Sequence, residues 1–462
     1  MQTAVDVAGS GSTFPGSLRD VVSRIERIPF SSWHVKVRLI IGIATLFEGF
    51  NLLSISYVLP VLVPRWHLDP GRIGALIGIG FLGGAISTFA MGWLAERYGR
   101  QRVIVISTAA FSVASLLCAF AWSFTSMLVF RGLQGLAGGG EVPVAVTYIT
   151  EISRAHGRGR FILLYEIIFP VGLVLAAIAG WWLVAHGAWQ WMFVIGALPG
   201  PLFVFMQRSL PESPRWLAGR GRHAEAAAVI DRIERETVRA TGQPLPAVRP
   251  IEVDERSLPF WRDLFGPLYR PRTLMIWAVC FTCYLMNYGI ASWLPTVYQR
   301  NFHLSVDRAL GYSLVTTAAG LAGTVLCALL IDVVGRRAWF ATAFGASAIV
   351  MFWLWQGDTT SPAFLMAAAS IGYFFVSTIS IGVFLYMPEI YPTRLRARAV
   401  CIATVWSTAA GIVGPSLIGL VLGQQGLPAV FLALAVVGVI GTLIAALFAV
   451  ETRGRVLEEV SP

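Results

Sequence analysis

The chain reads RGLQGLAGGGEVPVAVTYITE over residues 131–151, ISRAHGRGR over 152–160 and FILLYE over 161–166. Two apolar segments meet at a short basic turn, and this pattern predicts a helical hairpin. Arg131, Glu141 and Glu166 lie inside the apolar segments. A charged side chain at the centre of a bilayer costs roughly 2.5–3.5 kcal/mol. If the hairpin crosses a membrane, these residues therefore mark a functional site.

The composition is that of a polytopic membrane protein. Of 462 residues, 56% are hydrophobic and only 13% are charged, which is unlike a soluble domain of this length. Runs of about 20 apolar residues are long enough to cross the hydrocarbon as helices. Examples are Val37–Val63, Val103–Trp122, Phe161–Val184 and Phe431–Val450. We count twelve such spans and predict an all-α membrane fold.

The net charge of +10 does not indicate a nucleic-acid-binding protein, because the basic residues fall in alternate loops. They concentrate at 97–102, 154–160 and 208–272, whereas the opposite loops carry only Arg65, Arg72, Arg300 and Arg308. An excess of Lys and Arg marks cytoplasmic loops. We therefore expect a multi-pass protein of the cell membrane with both termini in the cytoplasm.

No motif in the chain indicates a cofactor. The five cysteines lie in apolar segments, where a thiol packs as a small hydrophobe, so neither a disulfide nor a metal site is predicted. Gly138-Gly-Gly140 lies inside a span and lacks the Lys-Ser/Thr of a phosphate-binding loop, so it predicts close helix packing.

The N-terminal segment predicts a short amphipathic helix. Ser17 and Asp20 make a capping-box pattern ahead of Val21, Ile25 and Ile28. Such a helix commonly lies in the membrane interface, and we expect that position here.

Two halves of the chain share motifs at a nearly constant offset. The matches are Gly92–Arg100 with Ala328–Arg337, Glu151 with Glu389, and Glu212 with Glu451. They predict a six-plus-six duplication with a central site between two bundles. We assign 1–36 to a cytoplasmic amphipathic segment, 37–207 and 273–450 to the two bundles, 208–272 to a cytoplasmic linker with short helices, and 451–462 to a cytoplasmic tail.

These motifs resemble those of the major facilitator superfamily. Glu96-Arg97-Tyr98-Gly99-Arg100 resembles its loop motif, and Pro211-Glu-Ser-Pro-Arg-Trp-Leu217 resembles the signature of sugar porters and organic-ion transporters. Gly139-Gly-Glu-Val-Pro-Val144, Arg158-Gly-Arg-Phe with Glu166, and Tyr288-Gly-Ile with Trp293-Leu-Pro295 resemble bacterial niacin transporters of that branch. The resemblance implies a twelve-span transporter with a central cavity.

The chain departs from the family pattern at informative positions. Ala328 and Val333 replace the usual Gly and Arg of the second loop motif, which weakens one gate. Asn51 stands where sugar porters tend to carry an Asp, so the usual proton acceptor is missing. Glu166 stands where sugar porters place a sugar-binding Gln, which argues against a sugar as substrate.

Three carboxylates are candidates for proton coupling. At about 1.5 Å per residue, Glu141 lies roughly 15 Å from Glu151 and Glu166 roughly 12 Å from Arg158, so both reach similar depth. Glu48 lies roughly 18 Å inside span 1 by the same rise and can replace the missing acid. The alternative is that these side chains brace helices through hydrogen bonds.

The candidate substrate contacts combine one cation with neutral polar and aromatic groups. Arg131 could pair with Glu48 or bind an anionic substrate, because a guanidinium forks onto a carboxylate. The full set is Asn51, Arg131, Glu166, Asn287, Tyr288, Tyr373, Thr378, Trp406 and Ser407. The alternative for the aromatic members is core packing or a lipid-facing belt.

Charged residues at the cytoplasmic ends of the spans are candidate gates. They are Glu96, Arg97, Arg100, Glu151 and Arg158 in the first half, and Asp332, Arg336, Arg337, Glu389 and Arg396 in the second. We expect their ion pairs to lock the inner face while the outside is open, and to break as the halves rock. The alternative is that they only fix topology.

The hypothesis is uptake of a small aromatic carboxylate such as nicotinate, or another aromatic acid, by proton symport. A proton on Glu48 or Glu166 would lower the repulsion that these acids exert on an anion. The alternative is a proton antiporter that exports organic cations or drugs. An enzyme is disfavoured because the chain shows no catalytic cluster, and a channel because it shows no single selectivity ring. A transport-dead sensor on the same scaffold is a further alternative. We expect a monomer whose partners are a small molecule, protons and the lipid bilayer, with no cofactor.

Overall fold

A computed structural model describes residues 15–154, 164–248, 260–357, 361–391 and 393–453. In those ranges every regular element is a helix. Eleven helices are long and apolar enough to cross a membrane. The remaining crossing is built from two consecutive helices, Phe124–Gly138 and Glu141–Ile152. The all-α fold and the count of twelve spans are confirmed.

The spans are numbered 1 to 12 in chain order. They are Ser32–Trp66, Pro70–Tyr98, Arg100–Ala119, Phe124–Gly138 with Glu141–Ile152, Leu164–Ala185, Gln190–Ser209, Tyr269–Phe302, Val306–Val334, Arg336–Gln356, Pro362–Glu389, Thr393–Gln425 and Leu427–Phe448. Span 1 starts before the predicted Val37 because Ser31 and His34 form a capping box at its N-terminus.

Packing within each half follows the predicted duplication. In the first bundle span 1 packs on span 5, span 2 on span 4 and span 3 on span 6. In the second bundle the same pairs recur six spans later, as 7 with 11, 8 with 10 and 9 with 12. Between the bundles, span 2 packs on span 11, and the equivalent spans 8 and 5 pack on each other. The two bundles are therefore related by a pseudo-twofold axis between them.

Glycines set the distance between spans 2 and 4. A Cβ on Gly83 would lie 2.5 Å from the Gly132 carbonyl oxygen, and one on Gly135 would overlap the Gly80 carbonyl. Gly139 packs in the same way on the backbone of span 2. Small residues let two backbones approach closely in a membrane, so the packing role predicted for residues 138–140 is confirmed.

The bundles touch in the half of the molecule away from the chain termini. Here Tyr57 Oη lies 3.3 Å from Thr317 Oγ1. A Cβ on Gly419 of span 11 would lie 2.7 Å from the Pro70 carbonyl oxygen at the start of span 2. We call this contact region the outer seal, and the opposite side of the molecule the terminal face.

The N-terminal helix, Leu18–Arg27, does not use its apolar face on a membrane as we expected. Its apolar residues Val21, Ile25 and Ile28 are buried against the linker helices Pro214–Gly219 and His223–Thr241. Arg24 fixes the contact through ion pairs of 2.5 Å to Asp231 and 2.7 Å to Glu234. The linker therefore supplies the apolar surface that the sequence assigned to lipid.

Candidate functional site

A cavity between the bundles brings most of the predicted substrate residues together. Its larger part, the arginine chamber, contains about 1010 Å³ of empty space, counted together with the solvent at its open side. The polar residues that line it are Glu48, Asn51, Thr88, Arg131, Gln134, Glu166, Thr404, Ser407 and Thr408. Thr88 and Thr404 lie on the terminal-face side of the outer seal, so the chamber extends toward that face.

A second part of the cavity, the hydroxyl chamber, has a volume of about 550 Å³. Its polar residues come mainly from spans 7, 8 and 10, and are Glu166, Asn287, Thr317, Thr324, Tyr373, Ser377 and Ser380. Both chambers are lined by Glu166, Phe169, Tyr284, Tyr288 and Phe384. The two chambers are therefore adjoining parts of one site.

Arg131 is held in the arginine chamber without a counter-ion. The side chain is buried, and its Nη1 donates to the Asn51 carbonyl oxygen at 3.2 Å and to Gln134 Oε1 at 2.6 Å. No described carboxylate lies within the 4.0 Å of an ion pair. The pairing with Glu48 that we considered is not formed. Gly80 leaves room for the guanidinium, because a Cβ there would lie 3.0 Å from its Nη2.

Asn51 holds Arg131 rather than offering its own amide to a ligand. Its Nδ2 donates to the carbonyl oxygens of Phe47 at 3.0 Å and Gly196 at 2.8 Å. Its Oδ1 accepts from Ser115 at 2.9 Å and from Gln134 at 3.0 Å. Because every polar atom of the amide is used, we remove Asn51 from the ligand-contacting set and regard it as a support for Arg131.

Glu48 and Glu166 line the arginine chamber without partners. Neither side chain makes a hydrogen bond or an ion pair with a described residue, and Glu48 Oε2 and Glu166 Oε1 are buried. Burying a lone ionised carboxylate is costly, and taking up a proton removes that cost. Both residues are therefore placed where a proton could be exchanged with the cavity.

Glu141 lies in a different environment from the other two acids. It is the first residue of the second helix of span 4 and accepts a 3.5 Å hydrogen bond from Ser107 on span 3. It lines neither chamber. Glu141 therefore lies outside the cavity lining that Glu48 and Glu166 share, and its contact is of the helix-bracing kind.

Two predicted contacts in the second bundle lie outside the cavity lining. Thr378 donates to the Phe375 carbonyl oxygen of its own helix at 2.7 Å. The Trp406 ring is 39% exposed and stacks on Trp277, with ring centroids 5.4 Å apart. Neither residue lines a chamber, so we remove both from the ligand-contacting set. Their neighbour Ser407 does line the arginine chamber.

The candidate gating pairs form within each bundle. Arg100 Nη2 lies 3.1 Å from Glu151 Oε1, and Arg336 Nη2 lies 2.8 Å from Glu389 Oε1 and 2.7 Å from Asp332 Oδ1. We expected such pairs to break when the outer side closes. They are intact beside a closed outer seal, and each pair joins residues of a single bundle. Their gating role stays a prediction.

The other candidate gate residues each contact a different partner. The carbonyl oxygen of Glu96 accepts from Trp216 Nε1 at 2.7 Å, and Arg97 lies over the Trp93 ring. Arg337 Nε donates to the Ala446 carbonyl oxygen at 3.0 Å. Arg158 and the side chain of Arg396 lie outside the described residues.

Glu212 and Glu451, matched in the repeat, cap equivalent helices. Glu212 Oε1 accepts from the backbone nitrogen of Arg100 at 2.8 Å, and Glu451 Oε1 accepts from that of Arg336 at 3.0 Å. Burial raises the pKa of Glu212, and the opposing effect of its backbone N–H donors is smaller. Burial also acts to raise the pKa of Glu451, but its backbone N–H groups outweigh burial and lower it.

Gln134, Tyr284 and Phe81 were not among the predicted site residues, although each contacts one of them. Gln134 contacts Arg131 from one turn further along the same helix, a spacing that pairs side chains and could have been used. Tyr284 packs on Tyr288 from four residues earlier, with ring centroids 5.3 Å apart. Phe81 reaches Tyr288 across the bundle interface, with ring centroids 4.6 Å apart, and no local pattern predicts that contact.

Several known transporters are similar to this chain over most of its length. The niacin transporter NiaP of Acinetobacter baylyi is 31% identical over 445 residues, which covers 96% of this chain and 99% of that protein. The inner membrane metabolite transport protein YgcS of Escherichia coli is 29% identical over 444 residues, which covers 93% of this chain and 94% of that protein. A putative niacin/nicotinamide transporter of Bacillus subtilis is 28% identical over 380 residues, covering 82% of this chain and 86% of that protein.

Solved structures share the fold. A partially occluded inward-open conformation of the xylose transporter XylE from E. coli superposes with a TM-score of 0.73 at 20% identity, covering 92% of this chain and all of that one. The family model for sugar (and other) transporters matches residues 53–462. This chain therefore belongs to the sugar (and other) transporter family of the major facilitator superfamily, and it is a multi-pass membrane transporter rather than an enzyme.

Proposed function

We propose that this transporter takes up a small aromatic carboxylate, with nicotinate as the leading candidate, together with protons. The observation that carries the proposal is Arg131, a buried guanidinium that lines the cavity with no described carboxylate in ion-pair distance. A guanidinium binds a carboxylate through two parallel hydrogen bonds. An anionic substrate would supply the counter-charge that the protein does not.

The aromatic lining supports a planar ring as the rest of the substrate. Tyr288 stands at the boundary of the two chambers and contacts Phe81 from the other bundle and Tyr284 from its own helix. Aromatic rings pair well in offset or edge arrangements. The names of two relatives, which mention niacin, favour nicotinate over another aromatic acid.

Glu48 and Glu166 support proton coupling. If ionised, both would repel an anion bound near Arg131, because they line the same chamber. Protonation removes that repulsion, so acidification would strengthen anion binding and anion and proton would move together. A lone buried carboxylate is the group for which protonation removes the largest cost.

The same two acids also favour a second function, antiport of an organic cation against protons. With no partner among the described side chains, they could bind a cation when ionised. Protons would then compete with the cation. The two functions thus predict opposite effects of pH on binding.

Three ligands that share one ring and differ in charge separate these functions. They are nicotinate, neutral nicotinamide and N-methylnicotinamide, here the cation that is methylated on the ring nitrogen. Each is titrated against the purified chain between pH 5.5 and 8. We expect nicotinate to bind best and to bind more tightly on acidification. Preference for N-methylnicotinamide, with weaker binding on acidification, would replace symport by cation antiport.

Variants then test the two charges separately. Arg131→Met should weaken nicotinate binding at least about tenfold, since a hydrogen bond to a charged group is lost, and should leave nicotinamide unaffected. Glu48→Gln or Glu166→Gln should remove the stimulation of nicotinate uptake by a pH gradient in proteoliposomes. Thr378→Val, a buried change outside the cavity lining, is the control. Uptake that ignores the gradient in the parent protein contradicts symport.

The basic loops support an orientation with the terminal face in the cytoplasm. In that orientation the closed outer seal faces outward, and the arginine chamber extends inward. The protein would then be in an inward-facing state of an alternating-access cycle, working as a monomer in the cell membrane.

A further inference from the structure

The hydroxyl chamber has a different chemistry from the arginine chamber. Apart from Glu166 at the junction, its polar lining consists of neutral hydroxyl and amide groups. It therefore suits an uncharged, hydrogen-bonding part of a substrate whose carboxylate lies in the other chamber.

Most hydroxyl groups in this chamber already donate to the protein. Thr317 Oγ1 donates to the Ser313 carbonyl oxygen at 2.9 Å, and Thr324 Oγ1 to that of Gly320 at 3.0 Å. Ser380 Oγ donates to the Ser377 carbonyl oxygen at 2.9 Å. These groups have used the single proton that a hydroxyl can donate.

Asn287, in contrast, keeps amide donors that no described residue uses. Its side chain is buried, with 6% exposed, and its Oδ1 accepts a 3.4 Å hydrogen bond from Tyr373. Its Nδ2 makes no hydrogen bond with a described residue, although Asn287 lines the chamber. The contact with Tyr373 orients the amide, so that the two N–H groups are the part left to meet a ligand.

Gly320 makes this orientation possible. A Cβ at Gly320 would overlap the Tyr373 ring and lie 2.8 Å from Ser377 Oγ. Without a side chain at this position, the Tyr373 ring can lie against span 8 while its hydroxyl reaches Asn287. The donor is therefore held by packing from a neighbouring span.

We propose that Asn287 is a specificity-determining residue that donates a hydrogen bond to an acceptor on the substrate ring, and so selects a pyridine carboxylate over a benzoate. This inference rests on the proposed function, because it places the carboxylate at Arg131. A pyridine nitrogen accepts one hydrogen bond, whereas the corresponding C–H of benzoate accepts none. A site that donates to a ligand rejects an analogue lacking the acceptor, because its own polar group is left unpaired.

The test compares nicotinate with benzoate, which has the same charge and nearly the same size. Binding to the purified full chain is measured for the parent, for Asn287→Leu, and for Thr378→Val as the control. The parent should bind nicotinate roughly tenfold more tightly than benzoate, as expected for one hydrogen bond. Asn287→Leu should lose roughly that factor for nicotinate and change benzoate by less than about twofold. If Asn287→Leu melts below the assay temperature, Asn287→Ala also removes both N–H donors without adding a hydroxyl, and it carries the same comparison.

The Tyr288 hydroxyl also lacks a partner among the described residues, so it is a second possible donor to the substrate ring. The variant Tyr288→Phe distinguishes its role from that of Asn287. Loss of discrimination in Tyr288→Phe but not in the Asn287 variants would overturn the assignment. Equal binding of both acids by the parent would overturn it as well and leave aromatic-carboxylate transport intact. Binding of neither acid by the parent would overturn the proposed function and this assignment with it.

Discussion

Asn51 sets the charge state of the site. Arg131 Nη1 donates to the backbone carbonyl oxygen of Asn51, and the Asn51 side chain holds Gln134, the other partner of Arg131. An acid at this position would place a negative charge beside the proposed anion site. The amide instead donates to two backbone carbonyl oxygens and accepts from two side chains, and it carries no charge. Arg131 therefore remains a free cation, which is what recognition of a carboxylate requires.

We predict that the stability of the Asn51→Asp variant depends on pH. A carboxylate cannot donate to the carbonyl oxygens of Phe47 and Gly196, and each buried group left unpaired costs about 1–3 kcal/mol. The protonated acid regains one donor. The variant should therefore melt at a lower temperature at pH 8 than at pH 5.5, and it should bind nicotinate at least about tenfold more weakly at pH 8.

The matched control is Asn51→Leu, which loses the same donors but cannot take up a proton. Its melting temperature relative to the parent should be equal at the two pH values. If the melting temperature of Asn51→Asp falls by the same amount at both pH values, the donor role of the amide is refuted.

Span 4 is the element on which the site is built. Its first helix carries Arg131 and Gln134, and its second begins at Glu141. The N-terminus of a helix favours a negative charge, so the break in span 4 gives Glu141 a stabilising position inside the membrane. Glycines along the first helix hold it against span 2, which places Arg131 beside Gly80.

Glycine packing predicts the stability of two matched variants. Gly135→Ala places a methyl group against the Gly80 carbonyl and forces spans 2 and 4 apart, so it should cost roughly 1–3 kcal/mol. Gly92→Ala lies on span 2 with no atom within 4 Å of the added Cβ, and it should be neutral or slightly stabilising. Thermal unfolding in detergent measures both. Equal melting temperatures would show that the helices can separate without cost.

The whole molecule is two similar bundles joined at the outer seal. Span 2 meets span 11 there, and glycines allow the backbones to touch. The candidate gating ion pairs each join residues of a single bundle. We therefore expect that the seal opens by a motion of one bundle against the other, since packed bundles switch between discrete arrangements.

We predict that the substitution Gly419→Leu opens the outer seal. The larger side chain would meet the Pro70 carbonyl and the Trp293 ring, where a Cβ alone lies 2.7 and 3.0 Å away. A membrane-impermeant maleimide should label Ser416→Cys at least about tenfold faster in this background, a population shift of about 1.4 kcal/mol. Gly423→Ala, whose Cβ makes only ordinary 3.6 Å contacts with Pro70, is the control. Unchanged labelling would mean that the seal does not control access.

Part of the site could be predicted from local sequence, because charge inside an apolar span is visible without a structure. Glu48, Arg131 and Glu166 were identified in this way, and all three line the arginine chamber. Trp406 and Thr378 were chosen by residue type alone, and type does not say which side of a helix faces the cavity. Phe81 was missed because its contact with Tyr288 joins residues from different bundles.

The sequence by itself determined the all-α membrane fold, the twelve spans and the duplication, because hydropathy, loop charge and repeated motifs are properties of single segments. Only the tertiary structure decided which polar groups share a chamber, that Arg131 has Asn51 and Gln134 instead of a carboxylate beside it, and that the N-terminal helix packs on the linker. Those facts depend on the rotation of each helix about its axis and on contacts between distant segments. Periodicity along one helix does not contain that information.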